Sequence, residues 1–413
     1  MAFFGGTAMT LAINGGKPVR DNYLSYGQQW IDEEDVQEVV EALTSPYITQ
    51  GPKIEGFERR VAQYVGAKYA VSFSNGTAAL HGACFAAGIS KGDEVITTPL
   101  TFAASSNCVL YCGGKPVFVD IDKDTYNIDP DLIKAAITSK TKAIIPVDFS
   151  GQPVDMARIN KIAKEHNLVV IEDAAHSLGA TCNGRKVGTL ADMTMFSFHP
   201  VKHVTTAEGG MIVTDSEEYA ERLRLFRSHG ISSNPSKEEP WFLEMVELGY
   251  NYRMTDIHAA LGISQMKRLD DFVARRREIA ERYNEEFSRL EGVRIPRQLE
   301  GTNSSWHLYV LSLELDKLRV GRKEIFEALR AENIGVHVHY KPVYLHPYYQ
   351  KLGYIRGLCP VAEKWYESTL TIPLFPKMTD DDVESVICGV RKVITYFIES
   401  KSLSFNPLTP VQS

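Results

Sequence analysis

The chain has 413 residues, of which 44% are hydrophobic and 23% are charged. These fractions are close to those of ordinary globular proteins, so disorder and low complexity are excluded as its main character. Lysine and arginine number 45 against 52 aspartates and glutamates, which gives a net charge of −7. This acidic balance argues against a general affinity for nucleic acid or for an anionic membrane, so any bound phosphate must be held by a local site.

The cysteines and the hydropathy pattern indicate where the protein works. Its 6 cysteines form neither a CxxC pair nor the spacing of a zinc site, which favours free thiols in a reducing compartment. The first residues lack a basic region followed by a long apolar core, so no signal peptide is expected. No apolar run is long enough to predict a membrane span. The sequence therefore predicts a cytoplasmic protein that binds no membrane and no nucleic acid.

The first part of the chain, residues 1–254, predicts a large α/β domain. A helix is expected to begin after Asp32, which is a suitable N-cap. Short β-branched runs follow without regular polar alternation, as expected of strands that are buried on both faces. Helical stretches between most of these runs imply a largely parallel sheet. The strands are predicted at residues 69–73, 94–98, 116–121, 143–147, 168–172, 193–198 and 210–214.

The pattern changes after residue 254 and predicts a smaller α+β domain over residues 255–401. It would begin with one long helix at residues 254–290, which has charged residues on its outer face. Residues 402–413 form a tail with little periodicity, which is expected to fray. Two closely packed domains predict a site at their boundary. The remaining elements are predicted as a strand at 307–315, a helix at 322–332, a strand at 335–339 and a helix at 380–400.

Three motifs contain residues that could carry chemistry. The first, SFSNGTAAL at residues 72–80, leads from a strand into an Ala-rich helix. The backbone N–H groups of Gly76 and Thr77 at that helix N-terminus, together with the Thr77 hydroxyl, could bind an anion. An ordinary helix N-cap gives the same pattern, so this motif does not decide the function by itself.

The second motif, VVIEDAAHSLG at residues 169–179, ends an apolar strand with a carboxylate. Ligands of open α/β sheets bind at this carboxyl edge of the strands. Asp173 could therefore pair with a cationic nitrogen of a ligand, and His176 could reach the same ligand. The alternative is a helix N-cap followed by a surface histidine.

The third motif, MFSFHPVKHVTTAEGG at residues 195–210, leads from a strand through Ser197 to Lys202 in a loop. A lysine held among desolvating neighbours has a lowered pKa and can bond to a carbonyl carbon. Most loop lysines are solvated, so the lysine alone is not decisive. Together, however, the three motifs match a pyridoxal-phosphate site, with the phosphate at the helix N-terminus, Asp173 at the pyridine nitrogen and Lys202 at the aldehyde.

Five stretches of the sequence resemble the DegT family of nucleotide-sugar aminotransferases. They are SNGTAAL, TPLTFAAS, EDAAHSLGA, SFHPVKHVTTAEGG and LGYNYRMTDIHAALG. The resemblance extends over nearly the whole chain, from about residue 26 to residue 396. It implies the type I fold of pyridoxal-phosphate-dependent transferases, that of aspartate aminotransferase, and pyridoxal 5'-phosphate as the cofactor.

The resemblance also implies a role for each matching residue. Lys202 would hold the cofactor and move the proton, and Asp173 would pair with the pyridine nitrogen. An asparagine of the neighbouring subunit would complete the phosphate site, so a homodimer with shared active sites is expected. The other matching residues are Gly76, Thr77 and Ser197 at the phosphate, His176 beside the ring hydroxyl, Phe102 against the ring face, Asn251 as the asparagine contributed across the dimer, and Arg253 as a substrate contact there.

Several histidines are candidates for substrate binding. His337 and His339 alternate on a predicted strand and would face the same side. A third ligand at a suitable spacing is lacking, so no metal site is predicted. The resemblance places His339, Tyr340 and Lys341 near the nucleotide sugar, with plain strand packing as the alternative. His229, which follows a helix, is a further substrate candidate.

The reaction implied by the resemblance is transfer of an amino group from L-glutamate to the C4 ketone of a UDP-linked 4-keto-6-deoxy-N-acetylhexosamine. Another nucleotide keto-sugar, such as a dTDP-, GDP- or UDP-4-keto-pentose substrate, is the nearest alternative. A pyridoxal-phosphate-dependent sugar dehydratase would have histidine in place of Lys202. A non-catalytic regulator that binds the cofactor is the third possibility, and the acidic net charge disfavours its usual partner, DNA.

Overall fold

The computed structural model describes residues 10–233 and 239–398 of the chain. The helices are α1 (Glu33–Thr44), α2 (Pro52–Val65), α3 (Gly76–Ala86), α4 (Ala104–Tyr111), α5 (Pro130–Ala136), α6 (Met156–His166), α7 (Glu217–Arg227), α8 (Asp256–Met266), α9 (Leu269–Phe287), α10 (Arg322–Ala331), α11 (Pro347–Lys351), α12 (Pro360–Glu367) and α13 (Asp380–Phe397). The strands are β1 (Tyr69–Phe73), β2 (Glu94–Thr97), β3 (Lys115–Phe118), β4 (Thr141–Ile145), β5 (Val169–Asp173), β6 (Thr181–Cys182), β7 (Arg185–Lys186), β8 (Met193–Ser197), β9 (Gly210–Thr214), β10 (Ile231–Ser233), β11 (Leu243–Met245), β12 (Val293–Arg294), β13 (Thr302–Asn303), β14 (Tyr309–Leu313) and β15 (Thr369–Ile372).

A 7-stranded sheet forms the centre of the molecule, with the strand order β1-β9-β8-β5-β4-β2-β3. The pairs from β8 through β5, β4 and β2 to β3 are parallel. Strand β9 runs antiparallel to both of its neighbours, β1 and β8. The prediction of a large, mostly parallel α/β sheet is therefore confirmed.

Helices cover both faces of this sheet, which explains why its strands lack polar alternation. Helices α3, α4 and α7 contribute to the core on one face, where Ile171 of β5 points. Helices α5 and α6 pack on the other face against Val170 of the same strand, and α2, α8 and α9 pack on that face nearer to β1 and β9. Successive residues of a strand point to opposite faces, so two buried neighbours require a layer on each side.

Helix α1 begins as predicted, because Asp32 caps it. The Asp32 carboxylate accepts the Asp35 amide N–H at 3.0 Å, and the Asp35 carboxylate accepts the Asp32 amide N–H at 3.1 Å. Three apolar residues of this helix, Val36, Val40 and Leu43, are 46%, 47% and 57% exposed. This helix therefore presents an apolar face to the outside of the chain.

The prediction of one helix over residues 254–290 is wrong, because the chain breaks into α8 and α9 near Arg268. Arg268 has φ −109° and ψ 5°, which is not helical. Its guanidinium donates to the Asp35 carboxylate at 2.5 Å and to the Trp30 carbonyl at 3.2 Å. These contacts tie the break to the start of α1, and no local sequence signal announces them.

The C-terminal part of the chain contains a 3-stranded antiparallel sheet, β12-β14-β15. Helices α10 and α13 share one hydrophobic core with this sheet and with α9. The strand predicted at residues 335–339 is wrong, because within it only His337 pairs, in an isolated bridge with Thr371. Two residues earlier, the Gly335 amide N–H donates instead to the Leu24 carbonyl at 2.7 Å, so no continuous ladder forms.

The ends of the chain limit what can be said of two further predictions. Helix α13 ends at Phe397, and the predicted tail at residues 402–413 lies outside the described residues. The division into domains at residues 1–254 and 255–401 stays a prediction. Among residues 10–233 and 239–398, no helix combines the length and the apolar character that crossing a bilayer requires.

Candidate active site

A cavity of about 1400 Å³ opens at the carboxyl edge of the central sheet. The ends of β5 and β8 form its floor, and residues 337–341 together with His346, Tyr348 and Tyr349 contribute its outer wall. This is the edge at which open α/β sheets bind their ligands. Ten of the predicted site residues line this one cavity: Gly76, Thr77, Phe102, Asp173, His176, Ser197, Lys202, His339, Tyr340 and Lys341.

The N-terminus of α3 opens into this cavity. Asn75 caps the helix, with its side-chain oxygen accepting the Ala78 amide N–H at 2.8 Å and its carbonyl accepting the Ala79 amide N–H at 3.1 Å. Within the described chain the amides of Gly76 and Thr77 have no such partner, so they are available to an anion. A Cβ at Gly76 would lie 3.3 Å from the Ser197 Cβ, so glycine allows the Ser197 side chain to lie against the helix end.

Asp173 places a carboxylate at the floor of the cavity. The residue is only 4% exposed. Its Oδ2 accepts the Ser105 hydroxyl at 2.6 Å, and its Oδ1 accepts the Ala175 amide N–H at 3.1 Å. Burial raises the pKa of Asp173, while these two hydrogen bonds and the charge of Lys202 act in the opposite direction. A ligand that brings a positive charge to this floor would therefore be stabilised.

Lys202 lies in the turn that follows β8. Its backbone N–H donates to the His199 carbonyl at 2.9 Å, which fixes the turn. Burial of the amine lowers the pKa of Lys202 to about 8, with Asp173 opposing the shift and Arg276 adding to it. A substantial fraction of the amine is therefore neutral near physiological pH, as a nucleophile or a base requires.

A group of buried rings lies beside Lys202. The His176 Nδ1 accepts the Ser150 amide N–H at 3.2 Å, which directs its Nε2 towards the Tyr340 hydroxyl at 3.3 Å. The His307 ring lies 4.3 Å from the His176 ring, and its Nε2 is 3.5 Å from the Lys202 Nζ. Burial lowers the pKa of both histidines well below the usual value, so both rings are neutral.

The outer wall combines aromatic rings with one cation, Lys341. The Phe102 side chain is 62% exposed and meets the Tyr340 ring edge to face at 6.3 Å. The His339 Nδ1 lies 2.8 Å from the Thr371 hydroxyl. The His337 and His339 rings stack at 4.5 Å. In the part of the chain that the structure describes, no group of three or more His, Cys, Asp or Glu is arranged to hold a metal ion.

Three of the predicted residues, Asn251, Arg253 and His229, are not among those that line the cavity. Asn251 forms an isolated antiparallel bridge with Ser228. The His229 amide N–H donates to the Tyr250 carbonyl at 2.9 Å, which holds this segment beside the end of α7. The role expected of these residues across a dimer stays a prediction.

Sequence reasoning missed three residues that support the site: Ser105, Arg276 and His307. Ser105 belongs to TPLTFAAS, so the motif that identified Phe102 could also have drawn attention to it. His307 is 105 residues from Lys202, and no spacing rule connects them. Arg276 appears in the sequence as one member of a charged helix, yet it is 1% exposed.

Residues 29–391 match the model of the DegT/DnrJ/EryC1/StrS aminotransferase family. The chain belongs to this family. The resemblance inferred from the motifs is confirmed, and the protein is an aminotransferase with the fold of the pyridoxal-phosphate-dependent members.

Two curated relatives align over nearly their full length. The spore coat polysaccharide biosynthesis protein SpsC of Bacillus subtilis is 45% identical over 381 residues, which cover 91% of this chain and 98% of SpsC. The UDP-4-amino-4,6-dideoxy-N-acetyl-β-L-altrosamine transaminase of Campylobacter jejuni serotype O:2 is 41% identical over 367 residues, which cover 88% of this chain and 95% of that protein.

Solved structures show the same fold. PseC of Helicobacter pylori, an aminotransferase involved in the biosynthesis of pseudaminic acid, superposes with a TM-score of 0.86 at 32% identity, covering 91% of this chain and 100% of PseC. The sugar aminotransferase Spr1654 of Streptococcus pneumoniae has been solved in a pyridoxamine-phosphate form and a pyridoxal-phosphate form, with TM-scores of 0.85 and 0.84 at 33% identity. Each covers 90% of this chain and 99% of Spr1654.

Proposed function

We propose that the protein uses pyridoxal 5'-phosphate to move the amino group of L-glutamate to the C4 ketone of a UDP-linked 4-keto-6-deoxy-N-acetylhexosamine. The substrate would be UDP-2-acetamido-2,6-dideoxy-β-L-arabino-hex-4-ulose, and the product a UDP-4-amino sugar for pseudaminic acid biosynthesis. One observation carries the reaction type: the enclosed amine of Lys202 and the buried carboxylate of Asp173 share a cavity with an open helix N-terminus. The names of the Campylobacter and Helicobacter relatives support the choice of sugar.

The residues on the cavity floor fit the cofactor. The free amides of Gly76 and Thr77 and the hydroxyl of Ser197 would hold the phosphate at the positive end of the α3 dipole. Asp173, which lacks a cationic hydrogen-bond partner within the described chain, would pair with the protonated ring nitrogen. Lys202 would hold the aldehyde carbon. A cradle, a buried anion and a neutral amine are the three groups that this cofactor requires.

The cofactor, when bound, supplies an aldehyde for the incoming amine and an electron-poor ring that stabilises negative charge on the neighbouring carbon. Lys202 performs the proton transfer. Because its pKa is about 8, Nζ can accept a proton from carbon and return it near neutral pH. Over the full cycle, glutamate becomes 2-oxoglutarate and the sugar ketone becomes an amine, so no external oxidant or reductant is needed.

His176 and Phe102 would orient the cofactor ring, His176 from beside its hydroxyl and Phe102 from against its face. His176 is held in place by the Ser150 amide N–H and by Tyr340, so its neutral ring has a fixed position. Phe102 is exposed at the opening and would cover the face that is accessible from outside. Water is then displaced from the reacting carbon, which strengthens the electrostatic interactions within the cavity.

The outer wall would bind the nucleotide diphosphate. Lys341 would supply a positive charge, and His339 and Tyr340, which line the same cavity, would supply hydrogen-bonding groups. His229 and Arg253 would contact the sugar nucleotide from a second subunit, since they do not line the cavity of their own chain.

A homodimer is part of this proposal. The exposed apolar face of α1, formed by Val36, Val40 and Leu43, is the kind of surface that a second copy would cover. Asn251 of one subunit would then complete the phosphate site of the other. A cytoplasmic location, where nucleotide sugars and glutamate are available, stays a prediction.

The proposal is tested by incubating the holoenzyme with L-glutamate and the UDP-linked 4-keto sugar, and measuring 2-oxoglutarate and the UDP-amino sugar by mass spectrometry. The two products are expected in equal amounts. Lys202→Ala should form both products at least about 100-fold more slowly, because a positioned acid–base group contributes that much or more. Lys202→Arg is the matched control that retains the charge but cannot bond to the aldehyde.

A panel of ketones tests the choice of sugar. Turnover with a dTDP-, GDP- or UDP-4-keto-pentose substrate, and none with the hexosamine, would retain the aminotransferase and replace the pathway. The similarity to SpsC, whose name places it in spore coat polysaccharide biosynthesis, makes this panel necessary. Release of a dehydrated sugar, or no turnover with any ketone, would contradict the proposal itself.

A further inference from the structure

His307 is a buried residue of the cavity, and only one of its two ring nitrogens has a polar partner nearby. The side chain is only 4% exposed. Its Nε2 is 3.5 Å from the Lys202 Nζ, at the long end of the hydrogen-bonding range. Its Nδ1 is buried and has no hydrogen-bond partner within the described residues. The Lys202 amine is therefore the hydrogen-bonding partner within reach of this ring in the described chain.

Arg276 fixes the backbone that carries the ring. Its Nη1 donates to the carbonyls of Trp306, His307 and Leu374 at 3.2, 3.1 and 3.0 Å. The guanidinium is 1% exposed and forms no ion pair in the described part of the chain. It remains protonated at neutral pH, so an uncompensated positive charge lies behind His307.

The groups around Lys202 disfavour a second positive charge. Asp173 from β5 attracts the ammonium, but burial and Arg276 from α9 outweigh it, and the pKa of Lys202 falls to about 8. The neighbouring histidines are held neutral by burial and by the charges of Lys202 and Arg276. The titratable and charged groups that face the amine are Asp173, His176, His199, His203, Arg276, His307 and His339.

From these contacts we infer that His307 is a positioning residue for Lys202, with its Nε2–H donating to the lone pair of the neutral amine. This inference rests on the proposed function only in giving Lys202 its catalytic role. The hydrogen bond would hold the amine uncharged and in place whenever it is not bonded to the cofactor. In that state the amine would have to be neutral, because its lone pair must form the new bond to the cofactor carbon as the substrate amine leaves that carbon.

The tautomer follows from the two ring nitrogens. A neutral imidazole has one N–H donor and one acceptor. If Nδ1 carried the proton, a buried N–H would have no acceptor within the described residues, and an unpaired N–H is the less common and costlier arrangement. If Nε2 carries it, the N–H meets a lone pair, and only a weaker acceptor is left without a partner.

Two amide substitutions of His307 distinguish the effect of its Nε2–H donor from the effect of the polarity of the cavity. Glutamine places its amide nitrogen near the position of Nε2, whereas asparagine places it near Nδ1, beyond reach of Lys202. In the cofactor-free full-length chain, acetic anhydride modification of Lys202 is followed against pH by mass spectrometry of its peptide. His337→Asn, a change at a more exposed histidine of the same cavity, is the matched control.

We expect the pKa of Lys202 to be about one unit higher in His307→Asn than in the wild-type chain, because one hydrogen bond to the neutral amine is lost. In His307→Gln and in His337→Asn the pKa of Lys202 should equal that of the wild-type chain. With cofactor bound, kcat of His307→Asn should fall while KM for the nucleotide sugar is unchanged, and the alkaline shift should appear in its pH profile. An unshifted His307→Asn, or a His307→Gln shifted as far, would overturn the inference.

A direct measurement on the unmodified chain keeps the test independent of the variants' stability. The nitrogen-15 spectrum of its histidines at pH 9, with the His307 signal assigned by its loss in a variant, should show a protonated Nε2 and an unprotonated Nδ1. The reverse tautomer would also overturn the inference. Failure of the unmodified chain to bind pyridoxal phosphate would instead count against the proposed function, since neither the titration nor the spectrum requires the cofactor.

Discussion

The hydrogen bond from Ser105 to Asp173 offers a precise test of how the cavity handles charge. The Ser105 hydroxyl donates to the Asp173 Oδ2 at 2.6 Å, and the Thr101 hydroxyl lies 2.7 Å from the same Ser105 oxygen. All three side chains are buried. Ser105→Ala removes one of two hydrogen bonds to the carboxylate and leaves the Ala175 amide N–H as the other.

The size of the effect follows from the difference between charged and neutral acceptors. A hydrogen bond to an ionised group contributes about 1.5–3 kcal/mol, whereas one to a neutral group contributes about 0.5–1.5 kcal/mol. The difference of about 1–1.5 kcal/mol corresponds to about one further pKa unit upward for Asp173. Under the proposed function the carboxylate pairs with a cationic ring nitrogen, so the affinity for pyridoxal phosphate should fall about tenfold.

The assay is titration of the cofactor-free chain with pyridoxal phosphate, followed by the visible absorbance of the bound form. Ser106→Ala is the matched control, because Ser106 is the next residue of α4, is equally buried and contacts Tyr349 instead of Asp173. The loss in Ser105→Ala should be largest at low pH and should shrink as pH rises and the carboxylate ionises. Equal affinities in the two variants, or a loss that grows with pH, would refute this reasoning.

Three further predictions follow from the described contacts. The rate at which pyridoxal phosphate attaches to the cofactor-free chain should rise with pH up to about 8 and then level off. The reason is that the pKa of Lys202 is lowered and only the neutral amine reacts. A rate still rising at about pH 10, as for an ordinary lysine, would contradict this prediction. Gly76→Ala should weaken cofactor binding several-fold at unchanged thermal stability, because the new Cβ would lie 3.3 Å from the Ser197 Cβ; unchanged affinity in the same titration would count against the phosphate cradle. Arg276→Met should lower the free energy of unfolding by about 2–4 kcal/mol in a urea titration, because three carbonyls lose a buried donor. The control is Arg289→Met, at an exposed position after α9. It should change the free energy of unfolding by less than about 0.5 kcal/mol.

The central sheet could be predicted because its strands carry their signal locally. Runs such as VVIED at β5 are apolar and β-branched, and the predicted limits at residues 168–172 differ by one residue from Val169–Asp173. The break between α8 and α9 could not be predicted in this way. It depends on Arg268 reaching Asp35 and Trp30, which are more than 230 residues away in sequence. The periodicity of apolar residues predicts a helix from the helix's own sequence and carries no information about such a long-range contact.

The site divides along the same line. The residues placed in the cavity by motif include Asp173, which ends β5, and Lys202, which follows β8, and the carboxyl ends of parallel strands meet at one edge. Ser105 and His307 act through contacts with those residues over 68 and 105 positions, so only the folded chain brings them together. Asn251 matches a family motif yet does not line the cavity of its own chain, and its role across a dimer stays a prediction.

The central claim, that Lys202 holds pyridoxal phosphate, is tested most directly by reducing the holoenzyme with sodium borohydride and mapping the peptides by mass spectrometry. Reduction fixes the cofactor to whichever amine carries it. We predict a pyridoxyl-phosphate adduct on the peptide that contains Lys202, lost when the holoenzyme is first treated with L-glutamate, because the amino group then resides on the cofactor. An adduct on Lys341, the other lysine of the cavity, or no adduct at all would contradict the account.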